Sequence, residues 1–180
     1  MTAPLLKIEH LEVRYGDLIG VSDVSLEVPE GSVVALLGSN GGGKTTVLNA
    51  IAGLIPLHAG SIAFRGEEIG GQSAFAIVRK GLALSPEGWR LFVQQSVENN
   101  LMLDEPSLGL APAVVESMYE TFGRLHREGL TILLAEQSIE LALEVSDFAT
   151  VLQVGKSVLS GPAAALAEDP QVQKAYLGTG

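Results

Sequence analysis

Eight residues, Gly38-Ser39-Asn40-Gly41-Gly42-Gly43-Lys44-Thr45, follow the spacing G-x-x-x-x-G-K-[ST] and run on into Thr46. The chemistry open to such a stretch is anion binding. Its glycines let successive backbone N–H groups converge on phosphate oxygens without a Cβ in the way, at the positive end of a following helix. Lys44 would reach the β- and γ-phosphates and the Thr45 hydroxyl would offer an oxygen to Mg²⁺, so a nucleoside triphosphate is the first ligand to consider. The plainer reading, an ordinary glycine-rich turn, fits less well because the loop, its lysine and its flanks all agree. A second group is Asp104-Glu105, two carboxylates that close the apolar run Leu101-Met102-Leu103. Acidic residues also end many strands as solvated caps, and it is the loop in the same chain that gives this pair weight. Asp104 would hold Mg²⁺ directly or through water, and Glu105 would orient and deprotonate an attacking water.

Both groups need elements to position them. Val33-Val34-Ala35-Leu36-Leu37 is a continuous apolar run of the kind buried on both faces of a parallel sheet. After the loop, Val47, Leu48, Ile51 and Leu54 recur at helical spacing, with Gly53 placed to end the helix. Leu82-Ala83-Leu84-Ser85, closed by Pro86, and Leu130-Thr131-Ile132-Leu133-Leu134-Ala135 read as further strands. Phe75 to Lys80 reads as a short helix. Ala113 to Glu128 reads as an amphipathic helix with Val114, Val115, Met118, Phe122 and Leu125 on one stripe, capped by Gly129. Earlier in the chain, Leu11, Val13 and Tyr15 alternate with Glu12 and Arg14, and Val24, Leu26 and Val28 repeat the period, which predicts half-buried antiparallel sheet. A helix around Ile139 to Val145, a hairpin turned by Gly155-Lys156, and short helices at Ala163 to Ala167 and Val172 to Tyr176 complete the reading. The expectation is an α/β fold: a phosphate-loop core with a mainly parallel sheet, plus an N-terminal antiparallel layer. Residues 1–31 and 60–70 form that layer, 32–59 and 82–160 the core, and 161–180 the final helices. The ligand then belongs at the carboxyl ends of the parallel strands.

Bulk composition narrows the function classes. With 180 residues and 47% hydrophobic content, one sizeable core is expected. A net charge of −10 with only 11 Lys plus Arg argues against a nucleic-acid partner, since phosphate backbones are held by clustered positive charge. There is no cysteine, so disulfides and thiolate-bound metals are out of reach. No apolar run approaches bilayer length and Met1 to Ile8 lacks a signal-peptide layout, so membrane contact is expected only through a partner. His10, His58 and His126 are scattered without metal-ligand spacing.

The phosphate loop, Asp104-Glu105 and the following Pro106-Ser107-Leu108-Gly109-Leu110-Ala111-Pro112 resemble the nucleotide-binding subunit of an ABC transporter. Together with Ser85-Pro86-Glu87-Gly88 and Thr131-Ile132-Leu133-Leu134-Ala135-Glu136-Gln137, that last variant is similar to the branch that energises import of branched-chain amino acids. The resemblance spans nearly the whole chain. It implies an ATPase using ATP and Mg²⁺, a second ATPase subunit (identical or related), transmembrane permease subunits, and a cytoplasmic location on the inner face of the membrane. It also implies that Tyr15 stacks on adenine; the periodicity alone favours a core role for that ring. Glu87 falls where most of the family has a glutamine that contacts Mg²⁺ and the permease, and Gln137 where the family usually has a histidine that contacts the γ-phosphate. Both exchanges are usual in the branched-chain amino acid branch. Gln137 can donate a hydrogen bond and cannot become cationic. Plain readings stand beside these: Glu87 as a turn residue, Gln137 as a strand-end residue, Trp89 and Phe92 as local packing rather than permease contacts.

One part of the family pattern is absent. No Leu-Ser-Gly-Gly-Gln-like signature occurs, and the helical subdomain that carries it is missing, so that Gln95-Ser96-Val97-Glu98-Asn99-Asn100-Leu101 abuts the strand before the carboxylates. Asn100 stands where a buried strand should have another aliphatic residue. A parallel crossover from Ser85 to Leu101 has only the residues from Pro86 to Asn100, barely above the minimum of about a dozen. The expectation is that an intact subunit carries a further segment between 99 and 103. A chain without it would bind nucleotide and hydrolyse poorly. The rival expectations are a nucleotide-binding module that never hydrolyses, or the same engine serving another transporter, such as one for urea or amides.

Overall fold

The computed structural model describes residues 3–86 and 100–172. In chain order the elements are β1 (Leu6–Tyr15), β2 (Leu18–Val28), β3 (Val33–Leu37), α1 (Lys44–Ile51), β4 (Ala59–Phe64), β5 (Glu67–Glu68), α2 (Ala74–Arg79), β6 (Leu82–Ser85), β7 (Asn100–Asp104), α3 (Pro112–Arg127), β8 (Thr131–Glu136), α4 (Ile139–Val145), β9 (Phe148–Gln153), β10 (Lys156–Pro162), α5 (Ala163–Ala167) and α6 (Pro170–Val172). The described strands form one mixed sheet in the order β5-β4-β1-β2-β10-β9-β3-β8-β7-β6. From β9 to β6 every neighbouring pair is parallel. β1, β2, β4 and β5 pair antiparallel and meet the rest through one parallel bridge, Lys156 to Asp23.

β3 is apolar throughout and β8 is apolar from Ile132 to Ala135, as their burial requires, since every residue of both is covered. Side chains alternate across the sheet. Val34, Leu36, Met102 and Leu133 pack with Val47, Leu48 and Ile51 of α1 and with the inner faces of β1, β2 and β4. Val33, Ala35, Leu37, Leu103, Ile132 and Leu134 face the other way, toward α3, α4 and α5. Helix α1 is thus enclosed between two layers of sheet, and burying each of its large apolar side chains contributes about 1.5–3 kcal/mol. That enclosure fixes where the loop before it can point.

Several expectations shift. Leu54 does not extend the α1 stripe but is exposed, because Gly53 adopts a left-handed φ of 68° and ends the helix one turn earlier. Gly53 N–H donates to Ala50 O and Leu54 N–H to Asn49 O, the paired bonds of a Schellman cap, which an L side chain at 53 would strain. Tyr15 does not continue the buried face of Leu11 and Val13. Register shifts between Ile8 and Arg14 bend β1, and the Tyr15 ring is 49% exposed. On α3 the buried stripe is centred on Met118, Tyr119 and Phe122, while Val114 is 47% exposed. Asn100 is not a defect in its strand. It is buried within β7, and its side-chain amide donates to Gly81 O at 3.0 Å, fastening the start of β7 to the residue before β6. The final helix begins at Pro170, and its expected continuation to Tyr176 lies outside the described residues, as does the connection from β6 to β7 at 87–99.

On the face of the sheet that α3 covers lies a groove of about 570 Å³, walled by Leu101 and Leu103 of β7 and by Val114, Met118, Phe122 and Leu125 of α3.

Candidate functional site

The loop from Gly38 to Gly43 leaves the carboxyl end of β3 and delivers Lys44 as the first residue of α1. Ser39, Asn40 and Gly41 form its exposed tip, and Gly42 N–H donates to Ser39 O at 3.0 Å to close the turn. Gly43 has φ 103°, and a Cβ there would lie 2.5 Å from Val21 Cγ1, so only glycine fits. The first turn of α1 has neither a side-chain cap nor an acidic residue, which leaves its dipole end suited to an anion.

Lys44 is folded back under this loop. Its side chain is 3% exposed, and Nζ donates to Gly38 O at 2.7 Å and to Ser39 O at 3.1 Å. The same ammonium pairs with Glu105 Oε1 at 2.9 Å. Beside it, Thr45 Oγ1 donates to Asp104 Oδ1 at 3.2 Å. Asp104 ends β7, whose neighbour β8 lies between it and β3, so two strands of the parallel sheet and one helix bring both chemical groups together. Glu105 follows with φ 43°, a left-handed conformation costly for a non-glycine residue, held by Glu105 N–H to Ala135 O at 2.9 Å. A hydroxyl and a carboxylate oxygen in contact are hard oxygen donors of the type Mg²⁺ prefers, so Thr45 and Asp104 fit that cation. Among the described residues no cluster of three or more His, Asp or Glu forms a separate metal site.

The other expected residues distribute as follows. Tyr15 lies over Gly20, where an added Cβ would meet the ring at 2.8 Å, and its hydroxyl is 3.3 Å from Thr46 Oγ1. Its half-exposed ring therefore borders the C-terminal end of the phosphate loop. Gln137 is exposed, just past β8, and shares a cavity of about 420 Å³ with Glu105. Glu87, Trp89 and Phe92 lie outside the described residues. Two groups that the sequence did not single out complete the site. Glu136, 1% exposed, accepts through Oε1 from Ser107 N–H at 3.0 Å and from the Tyr119 hydroxyl at 3.2 Å, and through Oε2 from Gln137 N–H at 3.1 Å. Burial, and then the Glu136 carboxylate, push the Tyr119 phenol far above its usual range, so it stays a donor. The sequence signal for both was faint: a charged residue ending an otherwise apolar strand, and a tyrosine one position off the apparent helix stripe.

A parallel sheet whose central strand feeds a glycine-rich loop, with a carboxylate pair held against the lysine and threonine of that loop, is the architecture of a nucleotide-binding P-loop protein. A model of the ABC transporter family matches residues 21–171, and the chain belongs to that family. It is 32% identical over 232 residues to the high-affinity branched-chain amino acid transport ATP-binding protein BraG of Pseudomonas aeruginosa, covering 97% of this chain and 100% of the relative. To BraF of the same organism it is 26% identical over 253 residues, covering 99% of each. Among solved structures, the ADP conformation of MJ1267, an ATP-binding cassette of an ABC transporter, matches with a TM-score of 0.85 at 17% identity, covering 98% of this chain and 100% of that one. The fold of cbiO1 from Clostridium perfringens, part of an ABC transporter complex, matches with a TM-score of 0.79 at 20% identity, covering 99% and 96%. The BraG alignment takes in nearly all of both proteins. Because it is 232 positions long and this chain has 180 residues, more than fifty positions of BraG face nothing here.

Proposed function

We propose that this chain is an ATP-binding subunit that energises import of branched-chain amino acids through a membrane permease, working on the cytoplasmic face with a second ATPase subunit. The observation that carries the nucleotide reading is the contact of the loop with both carboxylates, Lys44 with Glu105 and Thr45 with Asp104. Backbone N–H groups from Gly41 to Thr46 and the Lys44 ammonium bind the triphosphate, Tyr15 packs on the adenine, and Thr45 and Asp104 hold Mg²⁺, with Glu87 as a further contact. When bound, that cation neutralises charge on the β- and γ-oxygens. Glu105 takes a proton from the attacking water, and Gln137 donates a hydrogen bond to the γ-phosphate. The cargo assignment draws on the names of BraG and BraF. Among the described residues no helix is long and apolar enough to cross a membrane, in keeping with a subunit that reaches the bilayer through a permease.

We place the more than fifty absent positions within the expected interval from 99 to 103, at its start, since β7 pairs without a break from Asn100 to Asp104; the chain is then a nucleotide-binding core short of the helical subdomain. The specific rival, a binding module without hydrolysis, is favoured by the same absence. Calorimetry with Mg-ATP beside a phosphate-release assay decides. Binding without turnover supports the rival; binding with turnover that Glu105→Gln abolishes supports the ATPase; no binding on well-folded protein removes both.

A further inference from the structure

We propose that Glu136 is a positioning residue that holds the loop carrying Glu105 and the backbone of Gln137 at a fixed separation across the cavity they share. The proposal rests on the nucleotide-binding reading and deepens it. Glu136 is the last residue of β8, paired in register with Leu37, the last residue of β3 before the phosphate loop. The segment after Glu105 is attached to this strand end at two points, Glu105 N–H to Ala135 O and Ser107 N–H to Glu136 Oε1. Just after them Leu108 N–H returns to Glu105 O at 3.1 Å, so the turn is closed on itself and pinned to β8. The second carboxylate oxygen of Glu136 takes the N–H of Gln137, the residue that begins the opposite wall. One side chain thus spans both walls of the cavity that Glu105, Ser107, Gln137 and Ser138 line.

The chemistry of the three partners explains the residue type. Ser107 N–H, Gln137 N–H and the Tyr119 hydroxyl are all donors in this arrangement, and a side chain that only accepts satisfies all three at once. A glutamine of the same shape would turn an NH₂ toward one of the two backbone N–H groups. A merely structural role, plugging the space between β8 and α3, predicts instead that what matters is the Tyr119 contact, since that is the bond to the helix.

The test compares Mg-ATP and Mg-ADP affinities by calorimetry for the wild-type chain, Glu136→Gln and Tyr119→Phe, with thermal unfolding of each. If Glu136 sets the walls that face the terminal phosphate, Glu136→Gln weakens ATP about tenfold and ADP less than twofold. Tyr119→Phe leaves both backbone contacts in place, and its ATP-to-ADP preference stays within a factor of about three of wild type even where the melting temperature falls. Should Glu136→Gln fail to fold, Glu136→Asp, which keeps an acceptor-only group but shortens its reach, is read by the same ratio and is expected to lower it about threefold. Equal weakening of ATP and ADP in the Glu136 variant, or the same loss of preference in Tyr119→Phe, overturns the proposal. A wild-type chain that binds neither nucleotide overturns the reading beneath it and the proposal together.

Discussion

Around β3 the sheet is covered on both faces, whereas at β6 and β7 one face is only partly closed. β3 is buried at all of its residues, between α1 with the antiparallel strands on one side and the α4 side on the other. β6 is buried only at Leu82, and Leu101 of β7 is half-covered beside a groove of about 570 Å³. Exposed Val114 and the partly buried Leu125 belong to the same groove. The difference teaches that the part around the phosphate loop is closed by its own packing and the part around β6 and β7 is not. Everything that would hold phosphate is supported within the β3–α1 and β7–β8 elements, while the groove lies apart from them, between β7 and α3.

The comparison breaks most readily by matched truncations. Leu134→Ala, in the two-sided region, should cost about 3 kcal/mol, while Leu101→Ala should cost about 1 kcal/mol because its site is already half open. Urea unfolding measures both, and equal losses would mean the groove is filled in solution. Lys44→Met should weaken Mg-ATP about a hundredfold by calorimetry, since it removes charge-assisted bonds to phosphate. It should also lower the melting temperature, because Glu105 loses the cation beside it. Tyr15→Ala should weaken ATP about tenfold and leave pyrophosphate binding unchanged, as expected for a ring that meets only the base. A parallel loss for pyrophosphate would place Tyr15 on the loop itself, through its contact with Thr46. The smallest expected change is in Glu105→Gln, where Mg-ADP affinity should rise about threefold because Lys44 no longer shares itself with a carboxylate; an unchanged or weaker affinity would mean that the ion pair does not compete with phosphate.

The phosphate loop and Asp104-Glu105 were legible because their meaning is carried by local spacing. The strands β3 and β8 were legible because two-sided burial demands uninterrupted aliphatic side chains. What escaped depends on contacts distant in sequence. Glu136 and Tyr119 matter through bonds between β8, α3 and the loop after Glu105, which no periodicity encodes. The exposure of Tyr15 follows from bulges in β1, and alternation alone predicts a buried ring there. Asn100 looked like an interruption of an apolar strand until its amide was seen closing on Gly81. Val114 counted toward the helix stripe by spacing, yet it lines an open groove and stays half exposed.

The ammonium of Lys44 already has an internal anion, so on the proposed reading a triphosphate must displace Glu105 rather than simply add to the site. The carboxylate let go by that exchange is the one meant to draw a proton from water. Loading and arming would then be a single event: an interlock in which the base is held quiet until the fuel has taken its place.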